Sequence, residues 1–302
     1  MKMPTKMRAA VGQMCSTDNV KRNAEMSASI IRRAAAADCQ LVLLPEAADF
    51  IADASKLQEL AKPLDSNDFV KRVREQAKES QVWVSVSIHE GTGTERCKNA
   101  TLLISPEGEV VQNYHKLHLL DVNYGNDGPI LESKTTIKGE KLLEPYQTPV
   151  GKLGMLCCYD LRFPEGALSL RRQGAELIAY PSAFTMQTGK IAITLPAALG
   201  YVFGAKVLLR ARAIETQSYV LAPAQIGQHS KERETYGHAM IVDPWGGVVA
   251  QASTRPPSYP PNEDDVDCGT FVSAEIDLDW VKQIREEMPL WEQRRSDVYA
   301  LV

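Results

Sequence analysis

Lys152-Leu153-Gly154-Met155-Leu156-Cys157-Cys158-Tyr159-Asp160-Leu161-Arg162-Phe163-Pro164-Glu165 is the stretch on which the fold turns. Its apolar start predicts a strand over Lys152–Cys158. Pro164, placed for a first helical turn, and Gly174, placed for a helix end, predict a helix over Pro164–Gln173. Glu176–Tyr180 then reads as another strand. Strand, helix and strand in this order predict an α/β fold, and the chain extends that reading in both directions.

Toward the N-terminus, Arg8–Met14 reads as a strand, and Asp18 or Asn19 caps a helix running to about Ala37. Leu41-Val42-Leu43-Leu44 is a buried strand halted by Pro45. A charged helix follows from about Ser66 to Glu79, then a strand at Val82–Ile88. Two strands joined by Ser105-Pro106-Glu107-Gly108 come next. Toward the C-terminus, Leu208–Thr216 is helical, Tyr219–Ala222 is extended, and two more strands flank Asp243-Pro244-Trp245-Gly246. The hairpins Asn99–Gln112 and Gly237–Gln251 occupy matching places, and the order before each also matches. We infer two pseudo-symmetric α/β halves sharing one core. Ser253–Cys268, rich in Pro and acid, reads as a surface loop. We divide the chain into a domain over residues 7–279 and a charged tail over 280–302 that packs at a neighbouring surface or subunit.

Composition narrows the partners. With 44% hydrophobic and 24% charged residues the chain is globular in composition. The 34 basic and 38 acidic residues leave a net charge of −4, which gives no reason to expect nucleic acid or an anionic membrane. The basic start Met1 to Arg8 has no apolar run behind it, so no secretory signal is expected. Six cysteines without metal spacing point to free thiols in a reducing compartment, and we expect a cytoplasmic protein. No Gly-x-Ser-x-Gly, Gly-x-Gly-x-x-Gly or Walker pattern occurs, and no cofactor is implied.

Three residues could carry chemistry. Cys158 lies where a strand gives way to a helix, a place that presents a thiol outward and favours its thiolate; the alternative is a buried structural cysteine. Cys157 is expected to point to the opposite face, into the core. Glu46 ends an apolar strand, where open α/β sheets place their sites, and a desolvated carboxylate there can move protons; the alternative is a solvated strand-end carboxylate. Lys116, in Tyr114-His115-Lys116-Leu117-His118-Leu119, is either an inward cation able to hold an oxyanion or a surface lysine on an edge strand. His115 and His118 lack a third ligand in spacing, so no metal site is expected. His89 and His238 read as lone structural histidines.

At these places the chain resembles the nitrilase superfamily of carbon–nitrogen hydrolases. Leu43-Leu44-Pro45-Glu46-Ala47 is similar to its glutamate motif, the Lys116 segment to its lysine motif, and Cys158–Glu165 to its cysteine motif. All three occur in the family's order, and the resemblance covers about Arg8 to Tyr299. It implies an αββα sandwich, dimerised so that four layers stack. It also implies Glu46 as general base, Lys116 as oxyanion donor, Cys158 as nucleophile and the Tyr159 N–H as a second oxyanion contact. Glu132 would position Lys116 or substrate. Arg162 and Glu165 would order the turn.

The segment Tyr180-Pro181-Ser182-Ala183-Phe184-Thr185 resembles that of the Nit-type amidases and brings Ser182, Phe184 and Thr185 forward as substrate contacts. Tyr236–Gly246 and Met288–Arg295 carry the same resemblance, nearest to eukaryotic deaminated-glutathione amidases. The implied reaction cleaves a small-molecule amide, deaminated glutathione, to 2-oxoglutarate and Cys-Gly. An alternative is ω-amidase activity on 2-oxoglutaramate. Another is a catalytically weak scaffold on the same fold. A homodimer or higher homo-oligomer in the cytoplasm, with a mitochondrial pool, completes the expectation.

One segment departs from the resemblance. Relatives carry a short stretch with His-Trp-Glu between Thr188-Gly189 and Leu208, where this chain has Lys190–Val207. Between Lys190 and Lys206 lie 15 uncharged residues, short of the ~20 that span a bilayer, and Pro196, Gly200 and Gly204 interrupt them. A membrane helix is not expected. We read the segment as translated non-coding sequence joined between two genuine coding blocks; a real inserted loop is the alternative.

Overall fold

The computed structural model describes residues 6–123, 129–185, 204–231, 233–253 and 264–299. Most of Lys190–Val207 and of Ser253–Cys268 lies outside the described residues. Among the described residues the strands form two large sheets. The first runs in the order Glu234–Tyr236, Ala224–Gln228, Lys6–Met14, Leu41–Leu43, Trp83–Gly91, Cys97–Ile104, Val110–His115, with Thr270–Asp277 also paired to Lys6–Met14. The second runs Val248–Gln251, Met240–Val242, Tyr219–Ala222, Leu177–Ala179, Gly151–Met155, Tyr146–Thr148.

Alternation along the strands decides the layering. In the first sheet Ala9, Val11, Leu41 and Leu43 face the second sheet and share its core with Leu153, Leu177 and Ile178. Their neighbours Ala10, Val42 and Leu44 face the other way, onto Met26, Ile30, Phe69 and Val73. Those four belong to the helices Val20–Ala36 and Asp68–Ser80. A strand buried on both faces reads as an unbroken apolar run, which is why Leu41–Leu44 shows no polar position. The helices Pro164–Arg172 and Gly204–Thr216 cover the second sheet through Ala167, Leu170, Leu209 and Ala213. The result is the αββα sandwich.

Local chemistry sets the element ends. The Asn19 side chain accepts the Arg22 N–H at 3.0 Å, so Asn19 rather than Asp18 starts the first helix. Asn67 does the same for Val70 at 3.1 Å, moving the second helix start past Ser66. The strand expected to reach Cys158 stops at Met155, because the chain bends into a short 3₁₀ turn over Cys158–Arg162. The helix expected from Leu208 starts at Gly204.

The division drawn at residue 280 falls inside the helix Leu278–Glu287. That helix buries Val281 and Ile284, and its Arg285 donates to the carbonyls of Gln217 and Ala175 at 3.1 and 2.7 Å. Among the described residues no helix is long and apolar enough to cross a membrane.

Candidate active site

The carboxyl ends of the central strands of both sheets open on one cavity of about 780 Å³. Its lining includes Glu46, Lys116, Glu132, Cys158, Ala183 and Thr185. These residues come from five separate segments of the chain.

Glu46 follows Leu41–Leu43, past Pro45, and is 6% exposed. Its Oε1 accepts from Lys116 Nζ at 2.9 Å and from Asn99 Nδ2 at 2.8 Å, and its Oε2 from the Ala183 N–H at 2.8 Å. The Cys158 thiol lies beside the same carboxylate, close enough that each shifts the other's pKa. Burial alone would push the Glu46 carboxyl up, but the Lys116 charge, the thiol and Asn99 outweigh it and hold it at about 2.

Lys116 follows the edge strand Val110–His115 yet is only 2% exposed. Of the two sequence readings, the structure has the inward cation. Its ammonium reaches Glu132 Oε1 at 3.0 Å and Oε2 at 2.9 Å as well as Glu46. Burial would lower its pKa; Glu132 first and Glu46 second reverse that and hold it well above the ordinary lysine value. A buried ammonium between two carboxylates keeps its charge, because each partner's attraction acts where water is excluded. Glu132 is itself fixed by the Leu120 N–H on Oε2 at 2.7 Å.

Cys158 takes φ +46°, a left-handed conformation that a non-glycine residue adopts only where its surroundings enforce it. The enforcing groups are visible. The Cys158 N–H donates to Pro181 O at 2.9 Å. The Cys157 N–H donates to Asp160 Oδ2, also at 2.9 Å. The Tyr159 N–H donates to no acceptor among the described residues, although Tyr159, unlike Cys158, does not itself line the cavity. The Tyr159 ring packs edge-on against Phe163, 5.6 Å between centroids. Burial, with the Glu46 charge next, pushes the Cys158 thiol well above its ordinary value. The resting pair is therefore thiol and carboxylate.

Cys157 is a core residue as expected, but it does not point away from the site. Strand alternation would turn it away from Cys158, but the strand has already ended, and its Sγ lies 3.5 Å from Glu46 Oε1. It is fully buried and does not line the cavity, whereas Cys158 does.

The segment after Tyr180 also differs from the reading. Ser182 is turned onto Tyr180 O at 3.0 Å and Phe184 belongs to the core; neither lines the cavity. Thr185 does, joined by Ala183, whose N–H positions Glu46. His89 lines the cavity too, bonded to Asp49 at 3.0 Å and stacked on Phe50. His115 and His118 serve different carboxylates, Glu90 at 2.7 Å and Asp160 at 2.7 Å. Among the described residues no group of three or more His, Cys, Asp or Glu is arranged to hold a metal ion.

Two residues of the site escaped the sequence reading. Asn99 bonds Glu46 and approaches Glu132 at 3.4 Å. Asp160, fully buried, accepts from Tyr114 OH at 2.7 Å and from the His118 N–H at 2.9 Å, besides His118 Nδ1 and Cys157 N. It ties the cysteine turn to the segment that carries Lys116.

This fold and constellation define a thiol-bearing hydrolase, and the comparisons give the family. The Carbon-nitrogen hydrolase family model matches residues 8–286, and the chain belongs to that family. It is an enzyme of carbon–nitrogen bond hydrolysis in the nitrilase superfamily. It is 39% identical to "Probable hydrolase nit2" of Schizosaccharomyces pombe, over 97% of this chain and 99% of that one. It is 40% identical to the human "Deaminated glutathione amidase", over 96% of this chain and 83% of that protein. Among solved structures, the Caenorhabditis elegans NitFhit protein matches with a TM-score of 0.84 at 37% identity, covering 98% of this chain and 66% of that one. Saccharomyces cerevisiae Nit3, a member of the nitrilase superfamily, matches at 0.77 and 27% identity, over 96% of this chain and 97% of that one.

Proposed function

We propose that the chain is a thiol-dependent amidase whose nucleophile is Cys158, with Glu46 moving protons and Lys116 and the Tyr159 N–H holding the oxyanion. The observation that carries this reading is that Cys158 lines the same cavity as Glu46 and Lys116, whose carboxylate and ammonium are bonded to each other at 2.9 Å.

The chemistry follows from the charges. Glu46 takes the thiol proton as sulfur bonds to the amide carbon, and the carbonyl oxygen becomes an oxyanion. A carboxylate held at about 2 is a weak base for a thiol pushed upward. As the oxyanion forms, Lys116 shares its charge with it, its pull on Glu46 slackens, and the base strengthens when the proton must move. Glu46 then protonates the leaving nitrogen as the C–N bond breaks, leaving a thioester. It next takes a proton from water, which attacks the thioester and releases the acid and the thiol. Glu132 keeps Lys116 in place through the cycle. A donor to an oxyanion in such a site is worth about 10²–10³ in rate.

We take the substrate to be deaminated glutathione, cleaved to 2-oxoglutarate and Cys-Gly. The name of the human relative and a cavity inside the ~300–1,000 Å³ range of small-molecule sites support this. The test is product release by the purified protein. A higher kcat/KM for deaminated glutathione than for 2-oxoglutaramate supports it; the reverse order makes the chain an ω-amidase, and no release from either leaves the scaffold reading.

We also propose a homodimer with residues 280–302 at its interface, supported by exposed Trp280, Met288, Val298 and Tyr299. Light scattering giving one chain's mass of 33.4 kDa would refute it. A cytoplasmic location, with a mitochondrial pool, is supported by six free cysteines.

A further inference from the structure

The β-hairpin Ala224–Gln228 and Glu234–Tyr236 brings a second kind of chemistry to the cavity. Its tip carries Lys231 and Arg233, both lining the cavity, both exposed, and neither ion-paired among the described residues. The hairpin is firmly held. Thr235 bridges to Thr185, two residues beyond the Ala183 N–H that fixes Glu46. Buried His229 spans it, Nδ1 to Ser16 O and Nε2 to Thr235 Oγ1, each 2.7 Å. The Arg233 N–H bonds Ser230 Oγ at 3.2 Å and its carbonyl takes the His229 N–H at 2.9 Å. The two cations are thus displayed on a turn tied directly to the wall of the site.

We propose that Lys231 and Arg233 form a subsite for a carboxylate on the leaving half of the substrate, so that amides whose amine half ends in a carboxylate are preferred. The inference rests on the amidase reading above. The acyl half must stay bonded to Cys158, only 6% exposed at the floor, while the amine departs and water enters. The leaving half therefore faces the mouth, where these cations stand. Asp53 and Glu234 also line the cavity and oppose any anion. Lys134 lines the cavity as well, from a separate segment, but Lys231 and Arg233 are the pair of cations carried together on one turn. Arginine offers a planar fork that matches a carboxylate, and a lysine beside it adds charge. An ammonia-releasing amide has nothing to place there.

Three substrates test this in one series: deaminated glutathione, the same compound with its glycine carboxylate capped as the carboxamide, and 2-oxoglutaramate. The wild type should prefer the free carboxylate over the capped form by about tenfold in kcat/KM, the factor typical of one charge-assisted hydrogen bond. The Lys231→Ala, Arg233→Ala double variant should lose that preference, chiefly through KM, and Arg233→Lys should keep part of it. Turnover of 2-oxoglutaramate by the same preparations reports whether each variant is folded. A preference that survives in the double variant, or an equal rate on capped and free forms in the wild type, overturns the subsite alone. A wild type inert to all three overturns the amidase reading and this inference with it.

Discussion

In the first half of the chain the Leu44 N–H donates to Ser85 O at 2.7 Å; in the second the Tyr180 N–H donates to Leu221 O at 2.9 Å. Arg74 Nε caps Gly108 O, and Arg210 Nε caps Gly246 O, both at 2.6 Å. The two glycines take φ +82° and +85°, and each hairpin slips register once beside its turn. Ala9 and Val11 pair with Leu41 and Leu43 as Leu153 and Met155 pair with Leu177 and Ala179. Counting on from that register sets Met14 against Cys158 and Glu46 against Ser182. Here the halves part. Met14 continues its strand into the core, whereas Cys158 leaves its strand at φ +46° and faces the cavity. Glu46 gathers Lys116, Asn99 and Ala183, whereas Ser182 turns back onto Tyr180 O. The scaffold is repeated; the chemistry lies where the repeat fails.

The largest test removes the charges that one half lends the other. Glu46→Gln and Lys116→Met should each lower kcat by several orders of magnitude, and the double variant should lose hardly more than the worse single one, since both serve one transition state. Full additivity of the measured rates would separate their roles. Lys116→Met should also reverse a pH dependence. In the wild type, Glu46 is held at about 2, below its ordinary 4.5. Its contribution to stability is present above 4.5 and lost as pH falls through 2. Without Lys116, burial dominates and raises that carboxyl. Its contribution is then complete below 4.5 and lost as pH rises through the new value. Chemical denaturation at pH 4 and pH 7 should find the variant relatively stronger at pH 4. At neutral pH the uncompensated carboxylates should cost about 3–5 kcal/mol.

A middle-sized effect concerns the tie between segments. Asp160→Asn keeps the shape but replaces one acceptor oxygen with a donor, so the bonds from Tyr114, His118 and Cys157 cannot all survive. Because Asp160 acts through Cys158 and Lys116, kcat should fall about 10²-fold, as for one misplaced oxyanion donor. KM should change little, and the pH profile should shift with the displaced lysine. An unchanged profile would make Asp160 merely structural.

The smallest effect probes the symmetry itself. Arg74→Ala and Arg210→Ala each remove one equivalent bond to a turn carbonyl, and each should cost about 1 kcal/mol of stability without changing kcat. Denaturant midpoints that differ widely between the two would show that the halves are less alike in energy than in geometry.

The sequence carried the repeat because it is written locally, in apolar runs, caps and Pro-Gly turns. Glu46, Lys116, Cys158 and Glu132 were legible through motifs. Asn99 and Asp160 were not, because each acts across chain separations of 53 and 46 residues, on Glu46 and Tyr114, and no local pattern records such a partner. Cys157 sits in the core as its sequence predicts, but period-two alternation does not hold past Met155, where the strand stops, so its sulfur turns toward Glu46 rather than away from it. Ser182 and Phe184 belong to a motif whose contact with the site runs through the backbone of Ala183 and through Thr185.

The central claim is that the broken repeat, and not merely the presence of thiols, makes the nucleophile. Cys157 and Cys158 are adjacent and both approach Glu46, so the claim is decided by which sulfur carries the acyl group. Acid quench of the enzyme during turnover of its best amide, followed by fragmentation mass spectrometry, reads that directly. The acyl mass should sit on Cys158, persist in Cys157→Ser and vanish in Cys158→Ser. An adduct on Cys157, or one that survives in Cys158→Ser, would contradict the account.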